Sequence, residues 1–264
     1  MENLLKNICQ NKEKEIVESK KKCSLKTLEK LLSKTDLKRD FKKNIIDAKK
    51  NNKNLIIGEI KKTSPSAGTI IQDYYPEEIA LSYEKYGIGA ISVLTDKKYF
   101  EGDIDHISTI KKSANIPILR KDFIIDEYQI LESKVYNADS ILLILSILTD
   151  SQVKSFLKIA EDINLDCIIE THNEDEIHRA LNIGYPIIGI NNRNLNSLSI
   201  DLNNTSNLVN KIDDSFTVIA ESGIKNKNDI INYNNLGIFN FLIGETILKS
   251  KNKEKTIKEL LNND

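Results

Sequence analysis

NLIIGEI, residues 54–60, is the first of eight short apolar runs, and how it is read decides the fold. Downstream follow AISVL (90–94), PILR (117–120), SILLIL (140–145), CIIE (167–170), PIIGIN (186–191), TVIAE (217–221) and FNFLIG (239–244). They are rich in Ile and Val and apolar at successive positions, the pattern of strands buried on both faces. Between them lie amphipathic stretches of helical character: 79–86, 104–112, 128–136, 152–163, 175–183, 203–211, 227–234 and 246–261. Each interval has room for the crossover that parallel strands require. Eight strand–helix units predict an α/β chain folded as a (β/α)8 TIM barrel. A doubly wound open sheet is the competing architecture, but GxGxxG after the first strand is missing.

Working outward, residues 1–50 read as a polar helical extension packed on the barrel, and 51–264 as the barrel itself, one domain overall. Leu4, Leu5, Ile8 and Ile16 form one stripe, Leu25, Leu28, Leu31 and Leu32 a second with Ser24 as its cap, and Phe41, Ile45 and Ile46 a third. The Lys runs between them read as solvated helical faces. Four prolines and ten glycines leave little room for a flexible linker.

The chain has 264 residues, 40% hydrophobic and 29% charged, enough for a sizeable core. Lys+Arg is 38 against Asp+Glu 39, so the net charge of -1 argues against a mainly electrostatic nucleic-acid or membrane-surface binder. Only Arg39, Arg120, Arg179 and Arg193 are arginines. Cys9, Cys23 and Cys167 are odd in number and widely spaced, which disfavours a disulfide framework or cysteine metal site. The start offers no signal-peptide core, and no run approaches the roughly 20 apolar residues of a membrane span, so the cytoplasm is the expected compartment.

In such barrels the site lies at the C-terminal strand ends. That rule selects Glu59, Lys61, Lys121, Glu170, Asn191, Arg193, Glu221, Ser222, Gly223 and Gly244. Residues i and i+2 share a face, so Glu59 with Lys61, and Asn191 with Arg193, can point into the mouth. If Lys121 does so, Arg120 faces the helices. So much charge converging on one mouth exceeds what a core tolerates without partners. Mutual ion pairing at the rim is the alternative account. ESGIKN after the seventh strand and GETIL opening the helix after the eighth suit a phosphate, because Gly-turn and helix-start amides favour a dianion. The first loop, KKTSPSAGT (61–69), is turn-rich and long enough to act as a lid. His106 and His178 read as helix-surface residues and His172 as a bystander near the mouth. Neither HxH nor HExxH occurs, and no metal is expected.

Eight segments then resemble indole-3-glycerol-phosphate synthases: GEIKKTSPSAG, SVLTDKKYFEGD, PILRKDFIIDEYQI, ADSILLI, IIETHNEDEIHRAL, IIGINNRNL, IAESGI and FLIGETIL. They occur in order from about residue 54 to 250. The resemblance implies ring closure, decarboxylation and dehydration of 1-(2-carboxyphenylamino)-1-deoxyribulose 5-phosphate to indole-3-glycerol phosphate, in tryptophan biosynthesis. It implies Lys121 as the acid at the ketone oxygen and Glu170 as the carboxylate of the dehydration step. Glu59 and Lys61 become a functional pair, with the acid among them left open. It further implies Asn191 and Arg193 around the anthranilate part, and Glu221, Ser222, Ser64, Phe123 and Leu142 as substrate-binding. Lys61, Gly223, Gly244 and Glu245 become phosphate-binding.

Two departures, Asn194 in place of Asp and Ala67 in place of Lys, bear on loop stability or closure. The chemistry needs these residue types: a cation at a developing alkoxide, a base and an acid for dehydration, an Arg fork for a carboxylate. No cofactor is required. The expected partner is a small phosphorylated substrate, with neither nucleic acid nor membrane. The chain is expected to act as a monomer or in loose association with other tryptophan-pathway enzymes. Phosphoribosylanthranilate isomerase, another phosphate-binding barrel, is the first alternative, but it needs a Cys at the first strand end. A noncatalytic binding barrel is the second.

Overall fold

The computed structural model describes residues 4–35 and 38–262. Residues 1–3, 36–37 and 263–264, which belong to the ranges expected for the extension and barrel, lie outside the described residues. Eight parallel strands close into a barrel: β1 (Leu55–Ile60), β2 (Ala90–Leu94), β3 (Ile118–Lys121), β4 (Ser140–Ile144), β5 (Asp166–Thr171), β6 (Ile187–Asn191), β7 (Thr217–Glu221) and β8 (Asn240–Ile243). Each pairs with the next in sequence, and β8 closes on β1 with Leu55 opposite Asn240 and Gly58 opposite Ile243. The eight apolar runs are therefore eight strands, uninterruptedly apolar because both faces are covered.

Strand parity separates two cores. Ile57, Leu119, Leu142, Ile168, Ile219 and Leu242 fill the barrel interior. Ile56, Ile91, Ile141, Ile169 and Ile188 face the helices outside. Outside β1 the backbone comes so close to Tyr83 that a Cβ at Gly58 would sit 2.6 Å from its ring. The helical layer comprises α4 (Pro76–Lys85), α6 (Asp105–Ser113), α7 (Glu127–Val135), α8 (Asp150–Asp162), α9 (Glu174–Ile183), α10 (Asn203–Val209), α11 (Lys227–Asn234) and α13 (Lys253–Leu261).

Two helical details differ from the sequence reading. The expected helix over 246–261 is two: α12 (Glu245–Leu248) stops, and α13 restarts at an N-cap where Asn252 Oδ1 accepts from Lys255 N at 3.0 Å. A polar KSKN segment with an Asx cap competes locally with helix continuation. A short helix, α5 (Lys97–Phe100), follows β2, capped by Asp96, whose Oδ1 accepts from Tyr99 N at 2.8 Å.

Before the barrel come α1 (Leu4–Lys22), α2 (Leu25–Leu31) and α3 (Phe41–Lys50). Ser24 caps α2 by accepting from Thr27 N at 3.2 Å. Phe41 and Ile45 of α3 join the interior core near the strand starts, while Leu5 and Ile8 of α1 join it at the strand ends. One segment thus covers both mouths. The solvated-face reading of its lysines fails at Lys12, which is 3% exposed. Its ammonium sits 2.9 Å from both Asp96 and Asp122 and 2.7 Å from Glu15. Burial opposes that charge, but Asp122 and Asp96 outweigh it and hold the ammonium above its ordinary pKa.

At the strand starts two carboxylates hold the segment down. Buried Asp139 accepts from Arg39 N at 2.7 Å and Ile118 N at 2.8 Å and pairs with Lys111 Nζ at 2.5 Å. Asp166 accepts from Lys42 N and from Lys38 Nζ, each at 2.9 Å. Removing one partner from such a buried cluster strands the rest. Asp139→Ala is expected to lower stability by about 3–5 kcal/mol in urea unfolding. A loss below about 1 kcal/mol, the level of an exposed pair, would refute the clamp.

Candidate active site

The strand ends deliver their polar groups to one place. A cavity of about 580 Å³ opens at the C-terminal mouth, within the size range of small-molecule sites. Glu59, Lys61, Lys121, Glu170, Asn191 and Glu221 line its floor. Arg193, Ser222, Gly223, Gly244 and Glu245 line its rim, Ser64 borders it from the first loop, and Phe123 and Leu142 form its apolar wall. Every residue singled out from the sequence for this site therefore borders the same space.

Lys121 is central. Its Nζ lies 2.9 Å from Glu170 Oε2 and 3.7 Å from Glu221 Oε2. Arg120 points the other way, as parity requires, and donates to Glu132 at 2.9 Å and Asp122 at 3.1 Å among the helices. Burial works against the Lys121 ammonium, but Glu170, Glu221 and Glu59 outweigh it and raise its pKa. The two carboxyls diverge. Burial pushes Glu170 up, yet Lys121 and His172 more than reverse this and hold it far below the usual carboxylate range. Burial pushes Glu221 up, and the neighbouring Glu170 charge adds to the rise. Glu221 is 1% exposed, and neither of its side-chain oxygens has a hydrogen-bond partner although the group borders the cavity. Two titratable groups driven apart in this way are the signature of acid and base assignments.

Around this trio Asn191 Nδ2 donates to Glu170 Oε1 at 3.3 Å. Glu59 and Lys61 form an ion pair on the β1 side, so rim pairing and site placement coexist there. Arg193 is held by its own loop: Nη1 donates to the Leu198 carbonyl at 3.0 Å. Asn194 accepts from Asn196 N and Ser197 N, both at 2.9 Å, so its carbonyl supplies the turn-forming acceptor a carboxylate would. In the first loop, Thr63–Ser64 pairs antiparallel with Gly68–Thr69, and Ala67 N donates to Ser64 Oγ at 3.2 Å.

After β7, Ser222 and Gly223 are both left-handed, with φ 66° and 88°. They make a tight turn that leaves backbone amides beside the cavity rim. Thr246 Oγ1 donates to the Ile224 carbonyl at 2.6 Å and ties this turn to the start of α12. At Gly244 a Cβ would lie 2.7 Å from Glu59 Oε1, so this glycine also leaves room for the Glu59 carboxylate. The Glu245 side chain turns to Lys249 at 2.5 Å, which leaves its backbone, not its carboxylate, to face an anion.

Some site features escaped the sequence reading. Leu5 and Ile8 of α1, Phe100 of α5 and Leu195 complete the apolar wall; Leu5 and Ile8 were hidden by their distance in sequence from the strand ends, Phe100 and Leu195 by lying in the connections beyond them. His172 is no bystander, since its Nε2 lies 3.1 Å from Glu170 Oε1. His106 is not a plain surface residue. It is half-buried with its ring against Tyr74, centroids 5.5 Å apart. Gly189 on β6 packs against Glu221, and a Cβ there would overlap Glu221 Oε1 and reach within 3.0 Å of Ile168. Gly189→Ala is expected to destabilise the barrel by about 1–3 kcal/mol, measured by urea unfolding. Unchanged stability would show that Glu221 has room to move.

The sequence profile of the family described as indole-3-glycerol phosphate synthase matches residues 5–260. An indole-3-glycerol phosphate synthase of Thermoanaerobacter pseudethanolicus is 43% identical over 246 residues, covering 93% of this chain and 92% of that protein. One from Prochlorococcus marinus is 41% identical, covering 98% and 90%. Among solved structures, 3-hexulose-6-phosphate synthase superposes with TM-score 0.64 at 17% identity, over 78% of this chain and 97% of that one, a likeness of fold alone. With a match spanning nearly its whole length, this chain belongs to the indole-3-glycerol phosphate synthase family of tryptophan biosynthesis.

Proposed function

We propose that the cavity acts as a carboxy-lyase on 1-(2-carboxyphenylamino)-1-deoxyribulose 5-phosphate, closing the indole ring with loss of CO2 and water. One observation carries the reading. An ammonium, Lys121, stands beside two buried carboxyls, Glu170 driven down and Glu221 driven up in pKa, at the floor of a cavity with an apolar wall on one side and a glycine-rich rim on the other. The aromatic ring of the substrate fits the wall of Phe123, Leu142, Leu5 and Ile8. The phosphate fits the backbone amides around Ser222, Gly223 and Gly244, with Lys61 within reach. Between them the ketone meets Lys121, whose charge stabilises the alkoxide as the aromatic carbon attacks and whose proton it then takes. Arg193 and Asn191 hold the anthranilate carboxylate until it leaves as CO2. Glu170, ionised, removes the proton in dehydration, and an acid from the Glu59–Lys61 pair or Glu221 assists departure of the hydroxyl.

These steps use only side-chain acids, bases and charges. The cytoplasm suits such an enzyme, as no helix among the described residues is long and apolar enough to cross a membrane. The isomerase alternative lacks its thiol: Cys9 and Cys23 belong to the extension, and Cys167, buried at the start of β5, does not line the cavity.

Appearance of indole fluorescence from the carboxyphenylamino substrate tests the activity directly. Lys121→Met should cost at least roughly 10² to 10³ in kcat. Wild-type turnover in that variant would remove Lys121 from the mechanism. Arg193→Lys keeps charge but loses the planar two-point grip. It should weaken binding of a substrate analogue by about 1.5–3 kcal/mol while sparing the same analogue without its carboxylate. Equal weakening of both would mean that Arg193 only braces its loop.

A further inference from the structure

We infer that His172 is a positioning residue that clamps the Glu170 carboxylate from behind and keeps it ionised independently of Lys121. The inference rests on the role proposed above for Glu170. His172 does not line the cavity. It sits behind Glu170, two residues on, where β5 runs into α9. Its Nε2 is 3.1 Å from Glu170 Oε1, and its Nδ1 is 3.2 Å from Glu176 Oε2 and 3.1 Å from Ser146 Oγ. Ser146 donates its own proton to Glu176 Oε1 at 2.7 Å, so its lone pairs are what face Nδ1. Glu176 also accepts from His172 N at 2.8 Å, which fixes the ring's origin, and Asn204 of α10 donates to the His172 carbonyl at 3.2 Å. Each ring nitrogen thus lies beside a carboxylate, Nδ1 within hydrogen-bond distance of Glu176 and the buried Nε2, without a hydrogen bond of its own, in ion-pair range of Glu170, surroundings that favour the imidazolium.

The charged groups around His172 are Glu170 on its own strand, Glu176 from α9, and Lys121 and Glu221 beyond Glu170. Burial would lower the His172 pKa, but Glu170 and Glu176 outweigh it and raise it to about 9. Ring closure explains the use of a second cation. When Lys121 gives its proton to the ketone oxygen, Glu170 loses that counter-charge. With His172 in place Glu170 stays a base for the dehydration that follows. Without it, the acid and base of the site would tend to neutralise each other by direct proton exchange across 2.9 Å.

The test compares pH profiles of kcat and KM for wild type, His172→Gln, Glu176→Gln and Glu170→Gln, with a ring-carbon NMR titration of His172. His172→Gln should lower kcat about tenfold or more with KM within about threefold. Its acid limb should move up by about one pH unit or more, since Glu170 loses an opposite charge. In wild type the His172 ring should titrate near pH 9, and in Glu176→Gln closer to the ordinary value of about 6.5. If His172→Gln fails to fold, the wild-type titration and Glu176→Gln decide. A wild-type ring titrating at or below about 6.5 overturns the inference. So does an unmoved acid limb in folded His172→Gln. Full activity of Glu170→Gln would overturn the role of Glu170 and this inference together. An impaired Glu170→Gln beside an unaffected His172→Gln overturns this inference alone.

Discussion

A single ammonium buried between two carboxyls organises the mouth of this barrel. Burial alone would push Glu170 toward its neutral form, and Lys121 at 2.9 Å is the nearer of the two cations, with His172 at 3.1 Å, that reverse this. Glu221, the third member, is pushed up in pKa by burial and by the Glu170 charge, which eases the excess of negative charge. The geometry that permits this is set by the closed sheet. The closed barrel gathers the ends of β3, β5 and β7 so that Lys121 lies 2.9 Å from Glu170 and 3.7 Å from Glu221, and Gly189 on β6 leaves the space in which the Glu221 carboxyl lies.

The same logic of compensated burial recurs outside the mouth. Lys12 and Arg120 meet at Asp122, the residue after Lys121, so the β3 end is gripped from the extension on one side and from α7 on the other. Asp122 is buried, yet Lys12 and Arg120 hold its carboxyl far below the usual range. The extension is thus part of the scaffold that positions Lys121, as well as a source of apolar wall through Leu5 and Ile8. At the opposite end Asp139 and Asp166 anchor the chain on its way into α3. Charge placed at strand starts serves cohesion, whereas charge at strand ends is available for chemistry.

Much of this was legible before any coordinates. Eight runs of successive apolar residues have one economical solution in water, a parallel sheet covered on both faces, and period-two alternation then decides which strand-end residues look inward. That is why Glu59, Lys121, Glu170, Asn191 and Glu221 could be named together, and why Arg120 could be assigned to the helices. The break between α12 and α13 was missed because the Asx cap at Asn252 competes with a helical pattern that continues on both sides of it. The Asn194 departure proved neutral locally, because an amide carbonyl accepts the same two backbone bonds that a carboxylate would.

The sequence by itself determined the strand count, the inward and outward faces and the composition of the mouth, since all three follow from local periodicity and from the direction of the chain. Tertiary structure alone decided that one of two buried glutamates is driven down in pKa and the other up, that Lys12 is buried, and that His172 touches Glu170. Those are properties of distance and desolvation between residues far apart in sequence, or, for His172, of how β5 turns into α9. A residue type states which charges are available. Only the packed molecule, by removing water and fixing neighbours a few ångströms away, selects the ones that exist at neutral pH.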